Sequence, residues 1–494
     1  MYRASATPSP FKLTLFLAAL LLVGCASSSK NADQRFSELA SQLWQAEQQL
    51  RDVAPGALLD MSPQALLERQ QQRLAWQARL QQLDSSKLSE QNQINHAILS
   101  YRLANEIDEY QFGAHMMPLT SESGFHTSLG FLAQYSSFKS QDDYRHYLAK
   151  LSAIPRYMQQ QIQWMQQGLA SGMSQPKAVL KGFEQSILSY IVADPTQSLF
   201  YRPFKQKPDY INDADWQTLT AQAQLQITEA VNPAYQAYYQ FFVEQYLPAS
   251  RDTIAASALP NGAAYYQNRL QHYTTLQLTP QQVHQIGLDE VKRIRAEMQA
   301  VIDNLGFSGS FADFVQFLRT DTQFYAKTPD ELMRYAAFLS KKADAELPKL
   351  FKTLPRTPYG VVPVPAEIAP KYTTGRYSGP SRDDQAGFYW VNTYRLDRRP
   401  LYEMEALTLH EAVPGHNMQG DIQVRQQGGP KFRSVTGYVA FGEGWALYAE
   451  ALCKEMNAFP DIAADFMRLD AELFRAARLV VDTGIHALGW TEDE

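Results

Sequence analysis

Residues 278–307 read LTPQQVHQIGLDEVKRIRAEMQAVIDNLGF, and their spacing sets the fold class. Val283, Ile286, Val291, Ile294, Met298, Val301 and Leu305 recur at the period of one helical face. Thr279 stands at the cap position, Pro280 suits the first turn, and Gln282 completes a capping box. Gly306 is placed to end the helix. The stretch predicts a long amphipathic helix, whose apolar face needs other elements to cover it.

The pattern spreads upstream. Residues 35–110 are rich in Gln, Leu and Ala, which favour helix, and helical texture runs from Arg35 to about residue 350. It breaks downstream at 353–370, TLPRTPYGVVPVPAEIAP, where Pro355, Pro358, Pro363, Pro365 and Pro370 forbid a long helix. TTGRYSGPSRDDQAG (373–387) is loop chemistry. FYWVNTY (388–394) is aromatic and β-branched and predicts a strand. Helical pattern returns at 400–413 and from about 435 to 488. No internal repeat or linker divides residues 35–494, so we expect one mainly α, multi-helix body with a small β element.

Composition is that of a globular protein: 45% hydrophobic, 19% charged and 12% aromatic residues. The net charge of −6, with no long run of either sign, argues against a nucleic-acid binder. The N-terminus has the pattern of a secretory signal: Arg3 and Lys12, then the apolar run LTLFLAALLLVG (13–24), too short for a membrane span. Leu22-Val23-Gly24-Cys25 resembles a bacterial lipobox, which implies a signal peptide over 1–24 and acylation of Cys25. Ala26 rather than Asp follows Cys25, which places the anchor in the outer membrane, facing the periplasm, if the cell is Gram-negative. Residues 25–34 are expected to be a flexible tether. The one other cysteine, Cys453, has no partner for an internal disulfide and reads as a small core residue.

The chemistry concentrates near the C-terminal end. HEAVPGH (410–416) begins like a zinc-peptidase motif, but Pro414 occupies the place of the second histidine. In an unbroken helix His416 would point ~120° away from His410. Pro414 has no N–H for the His410 carbonyl, and Gly415 opens backbone angles closed to other residues. A bend there would return His416 to His410. GYVAFGEGWALYAEALC (437–453) then offers Glu443 and Glu450, about two turns apart on one face of an otherwise apolar or small-residue helix. Charges so placed are seldom buried unless paired or metal-bound. The residues leave two readings open: a zinc site of His410, His416 and Glu443, or buried ion pairs.

HEAVPGH, EGWALYAE and RAARLVVDTGIHALGW resemble the bacterial family known as domain of unknown function 885. FYWVNTYRLDRRPLYEMEALTLHEAVPGH and YYQNRLQHYTTLQLTPQQVHQIGLDEVKRIRAEM extend the resemblance upstream. That family is similar to helical zinc metallopeptidases of the angiotensin-converting-enzyme and thimet-oligopeptidase type. The similarity implies a two-lobed helical body with a channel, zinc on His410, His416 and Glu443, and Glu411 as general base. It also implies that Phe388, Tyr389, Trp390, Val391 and Asn392 form an edge strand for a peptide substrate. The family usually has His-His after the glycine, where this chain has His416-Asn417. Its members extend further at the C-terminal end, so the resemblance makes this chain a shortened copy.

The expected function is therefore zinc-dependent hydrolysis of peptides. Two alternatives stand beside it: a lipid-anchored binding or scaffold protein with a vestigial zinc site, and a zinc amidohydrolase on non-peptide cell-wall substrates. Glu450 is expected to hold a ligand histidine by its free N–H. Tyr438, Tyr448 and His486 are candidate oxyanion donors. Arg475 and Arg478 are candidates for binding a substrate carboxylate, with pairing to Glu472 or Asp482 the favoured reading. His96, His115, His126, His146, His272 and His284 read as surface or core residues.

Overall fold

The computed structural model describes residues 31–494 apart from 52–53, 122, 367, 381–384, 427–428, 454 and 457–461. The expected signal peptide and Cys25 lie outside the described residues. Residues 32–34, expected in the tether, belong instead to helix α1, which runs from Ala32 to Arg51. Asn31 Oδ1 accepts from Gln34 N at 2.8 Å and Gln34 Oε1 accepts from Asn31 N at 3.2 Å, a reciprocal cap that starts the helix.

Helices α2 (Pro63–Gln81) and α3 (Glu90–Gln111) follow. With α1 they enclose Phe36, Leu43, Leu80, Leu99 and Leu103, together with the distant Phe432. A larger core lies between α4 (Gln141–Ser171), α5 (Asp213–Gln226) and α6 (Asn232–Phe241). A π turn at Ile227–Val231 joins α5 to α6, and a second occupies Phe242–Tyr246. Ile227, Val231, Tyr235, Tyr238, Phe242 and Tyr246 are all fully buried. Their spacing is slightly longer than the 3.6 residues of an α turn, and the wider π turns absorb the drift.

Helix α7 (Gly262–Thr274) precedes α8 (Pro280–Leu305), the long amphipathic helix expected within 278–307. Its start is as expected: Thr279 Oγ1 accepts from Gln282 N at 3.3 Å, and Gln282 Oε1 accepts from Thr279 N at 2.8 Å. Gly306, at φ 62°, takes the left-handed conformation that ends it. The buried face differs in detail. It runs through Val283, Gly287, Ile294, Met298, Val301 and Ile302, leaving Ile286 and Leu305 exposed. A glycine belongs to that face because its neighbour packs so closely: a methyl at 287 would lie 2.8 Å from Val480.

Helices α9 (Phe311–Thr320) and α10 (Pro329–Leu350) lead into the sheet. Three strands form it: β1 (Tyr359–Pro363), β2 (Gly375–Ser378) and β3 (Gly387–Val391), in the order β1-β3-β2. β1 runs parallel to β3, pairing Tyr359 with Gly387 and Pro363 with Val391. β2 runs antiparallel, pairing Gly375 with Val391 and Ser378 with Phe388. The strand expected at 388–394 is thus present, but it ends at Val391. Two further strands were not expected: β1 lies in the proline-rich stretch where only a long helix is forbidden, and β2 in the stretch of loop chemistry.

The central position of β3 corrects the substrate-strand expectation. Both its edges are already hydrogen-bonded, so Phe388–Val391 cannot take a peptide by strand addition. Tyr389 and Val391 are fully buried core residues. Asn392 is a brace: its Nδ2 donates to the carbonyls of Ala369, Tyr372 and Thr373 at 2.9–3.1 Å.

The chain closes with α11 (Leu401–Glu411), α12 (His416–Arg425), α13 (Val439–Ala451) and α14 (Ile462–Ala487). Helix α14 packs along α8 and also touches α11 and α13. Among the described residues no helix is long and apolar enough to cross a membrane.

Candidate metal centre

The bend between α11 and α12 makes the site. Helix α11 ends at Glu411, where Pro414 removes a donor and the chain turns through Ala412–Gly415. The Val413–Pro414 bond is cis. Gly415 passes so close to the end of α11 that a Cβ there would sit 1.9 Å from the His410 carbonyl oxygen and 2.4 Å from that of Leu409. Only glycine fits. Helix α12 then begins at His416, and the His410 and His416 rings meet edge to face, with centroids 4.7 Å apart.

Helix α13 brings the carboxylate. Glu443 Oε2 lies 3.5 Å from His410 Nε2 and 3.8 Å from His416 Nε2. One donor atom from each of the three residues falls within 4.8 Å of the others, and no other such cluster occurs among the described residues. The two imidazoles are mostly enclosed, whereas the Glu443 side chain is 62% exposed, so the cluster faces an opening. Gly442 and Gly444, on either side of Glu443, have nothing within 4 Å of where a side chain would begin. The sequence placed these three residues together, and the structure does so as well.

Glu450, buried on α13, lies behind His410 as expected, its Oε1 2.7 Å from His410 Nδ1. Arg475 on α14 reaches the same carboxylate, with Nη2 donating to Oε1 at 2.7 Å and Nη1 to Oε2 at 3.3 Å. This corrects the expected pairing of Arg475. Glu472 is engaged by Arg293 and Arg468, and Asp482 accepts from the Tyr266 hydroxyl at 2.6 Å. Arg478 is exposed.

Glu411 is buried, and its Oε2 accepts from the backbone N–H of Tyr377 at 2.7 Å. Strand β2 therefore lies beside the expected general base. The Tyr377 hydroxyl in turn accepts from Asn417 Nδ2 at 3.0 Å, next to His416. Tyr377 was not singled out in the sequence. Its segment carries Gly and Ser on either side and gives no strand signal.

Electrostatics set the members apart. Burial pulls His410 down, but the Glu443 and Glu450 carboxylates outweigh it and lift it to about 9. Burial lowers His416, and the neighbouring His410 charge adds to the effect. The hydrogen bond from His410 holds Glu443 below the usual carboxylate range. Burial raises Glu411, which favours a carboxyl able to take up a proton.

Other candidates lie elsewhere. His486 Nδ1 accepts from the backbone N–H of Ala256 at 3.0 Å and its ring packs on Tyr266, a structural role. It sits about 16 Å further along α14 than Arg475, so it is not an oxyanion donor. Tyr438 caps α13 and packs its ring on Tyr101, 4.8 Å away, which in turn stacks on His272. Tyr448 is exposed beside Trp445. The remaining histidines stay outside the cluster; His126, for example, is fully buried with Nε2 2.9 Å from the Ser186 hydroxyl. Cys453 is buried, as expected.

The protein is thus a mainly helical body that brings two histidines and a glutamate together at a proline–glycine bend. The chain belongs to the family described as "Bacterial protein of unknown function (DUF885)", which matches residues 46–494. A solved structure from Colwellia psychrerythraea, described as a "putative lipoprotein", is similar: TM-score 0.84 and 25% identity, over 94% of this chain and 85% of that one. No curated protein matches the sequence.

Proposed function

We propose that the protein is a zinc-dependent peptidase of the bacterial envelope. One observation carries the proposal: two imidazole nitrogens and a carboxylate oxygen, from three helices, lie within 4.8 Å of one another. This donor set fits zinc, which takes three protein ligands at catalytic sites and prefers nitrogen and carboxylate donors of this kind. His410, His416 and Glu443 would hold the ion. Bound there, it supplies a Lewis acid and an acidified water.

The chain's own residues do the rest. Glu450 accepts from His410 Nδ1–H, which would leave Nε2, the nitrogen on the Glu443 side, as the atom that holds the ion. Glu411 receives the proton of the attacking water on its carboxylate and returns it to the leaving amine. The Tyr377 N–H fixes the orientation of that carboxylate. Peptide bonds are the favoured target because the family that HEAVPGH and EGWALYAE resemble is itself similar to the helical zinc metallopeptidases. With β3 fully paired, a peptide backbone would meet β2 rather than residues 388–392. Anchoring through acylated Cys25 rests on the lipobox-like Leu22–Cys25 and on the description of the Colwellia protein.

The test is a mixed peptide library incubated with metal-replete protein, with Glu411→Gln as the blank. We expect one zinc per chain, cleavage by the wild type, and loss of zinc in His410→Ala and Glu443→Ala. Zinc-loaded protein that leaves every peptide intact would sink the peptidase reading.

A further inference from the structure

We propose that Arg475 is a positioning residue for the metal centre, acting through Glu450; the inference rests on the zinc reading above. Glu450 is 2% exposed, and a buried carboxylate without a counter-charge is costly. Among the described residues, Arg475 is the only lysine or arginine that pairs with it. A carboxylate can only accept, so the 2.7 Å contact to His410 Nδ1 requires the proton on Nδ1. Arg475 Nη2 also lies 3.3 Å from that nitrogen. Two donors do not bond each other, so the oxygen they share, Glu450 Oε1, holds them together.

The forked guanidinium engages both oxygens of Glu450, which fixes the carboxylate in rotation as well as in place. That matters because Glu450 borders a hollow of about 250 Å³, also lined by Gly444, Leu447, Tyr448, Arg468 and Glu472. Arg468, which also lines it and is paired with Asp465 and Glu472, offers a second positive charge. Without Arg475 the carboxylate is free to turn towards it, and His410 loses the acceptor that sets its tautomer. Helix α14 thus supplies no ligand yet controls how one ligand is presented.

The experiment measures zinc affinity of the full chain by competition with a chromogenic chelator. Circular dichroism scores folding. Arg475→Ala is expected to lose about 10- to 100-fold in affinity, the range typical of partners that orient a metal-bound histidine. Arg475→Lys keeps the charge without the fork and is expected to recover part of the loss. In a Glu450→Gln background, Arg475→Ala is expected to add almost nothing, because its route to the metal is already cut. Wild-type affinity in Arg475→Ala, or losses that multiply in the double variant, would overturn the inference. If Arg475→Ala does not fold, Arg475→Lys is read in its place: its loss must likewise vanish in the Glu450→Gln background. Wild-type protein that binds no zinc defeats the zinc reading itself and this inference with it. Zinc bound equally well by wild type and Arg475 variants defeats this inference alone.

Discussion

Replacing Gly415 with alanine tests the bend on which the site depends. The added methyl would sit 1.9 Å from the His410 carbonyl oxygen and 2.4 Å from the Leu409 carbonyl oxygen. Both obstacles are backbone, so no side-chain rotation can relieve them. The chain at 415 must retreat by about 1.1 Å to reach even 3.0 Å, a separation real Cβ atoms hardly ever breach. His416 is the next residue and moves with it. Metal–ligand distances tolerate about 0.2 Å, so a shift several times larger separates the two imidazoles as co-ligands. We expect zinc affinity to fall by at least about 100-fold, or roughly 2.8 kcal/mol. Overpacking should also cost about 1–3 kcal/mol of folding stability. Chelator competition reports the first and thermal unfolding of metal-free protein the second. A folded Gly415→Ala protein that binds zinc as tightly as wild type would refute the account of how His410 and His416 are brought together.

Three further outcomes follow from the same geometry. Glu411→Gln should keep its zinc and lose about a hundred- to ten-thousand-fold in kcat, measured on any cleaved library peptide. His486→Ala strips the Ala256 N–H of its acceptor and should cost about 1–3 kcal/mol in chemical denaturation, with kcat and zinc content unchanged. Asp421 is buried and accepts from Arg425 Nε at 2.7 Å and from the backbone N–H groups of Thr357 and Arg356. Burial raises its carboxyl, but these partners more than reverse that and hold it at about 2, below the usual 3.8. A depressed carboxylate stabilises above its unfolded value, and that stability drains as pH falls through the folded one. Roughly 2 kcal/mol should therefore be lost between about pH 5 and pH 2, and denaturant titrations of Asp421→Asn should lack that component.

What the sequence revealed depended on how local the cause was. The start of α8 was legible because Thr279, Pro280 and Gln282 act within one turn of each other. The bend was legible for the same reason: Pro414 and Gly415 carry their own geometry. Glu443 and Glu450 were legible as carboxylates where apolar or small neighbours left little else for them to do. Strands β1 and β2 were not, because four or five residues with Gly and Pro become strands only by pairing with β3. The partner of Arg475 was misread for a related reason. Glu472 and Asp482 lie on its own helix, but Arg293, Arg468 and Tyr266 claim them, and Glu450 arrives from another helix. The link from Tyr377 to Glu411 was invisible, since a backbone N–H has no signature in sequence.

Trp445 ties these parts together in one more way. Its indole N–H donates to the Pro414 carbonyl at 2.8 Å, so the helix carrying the third donor is latched to the corner that turns the second one inward. Under the proposed zinc reading, the scaffold would stand ready before the guest arrives, with the two rings and the exposed Glu443 carboxylate left to adjust.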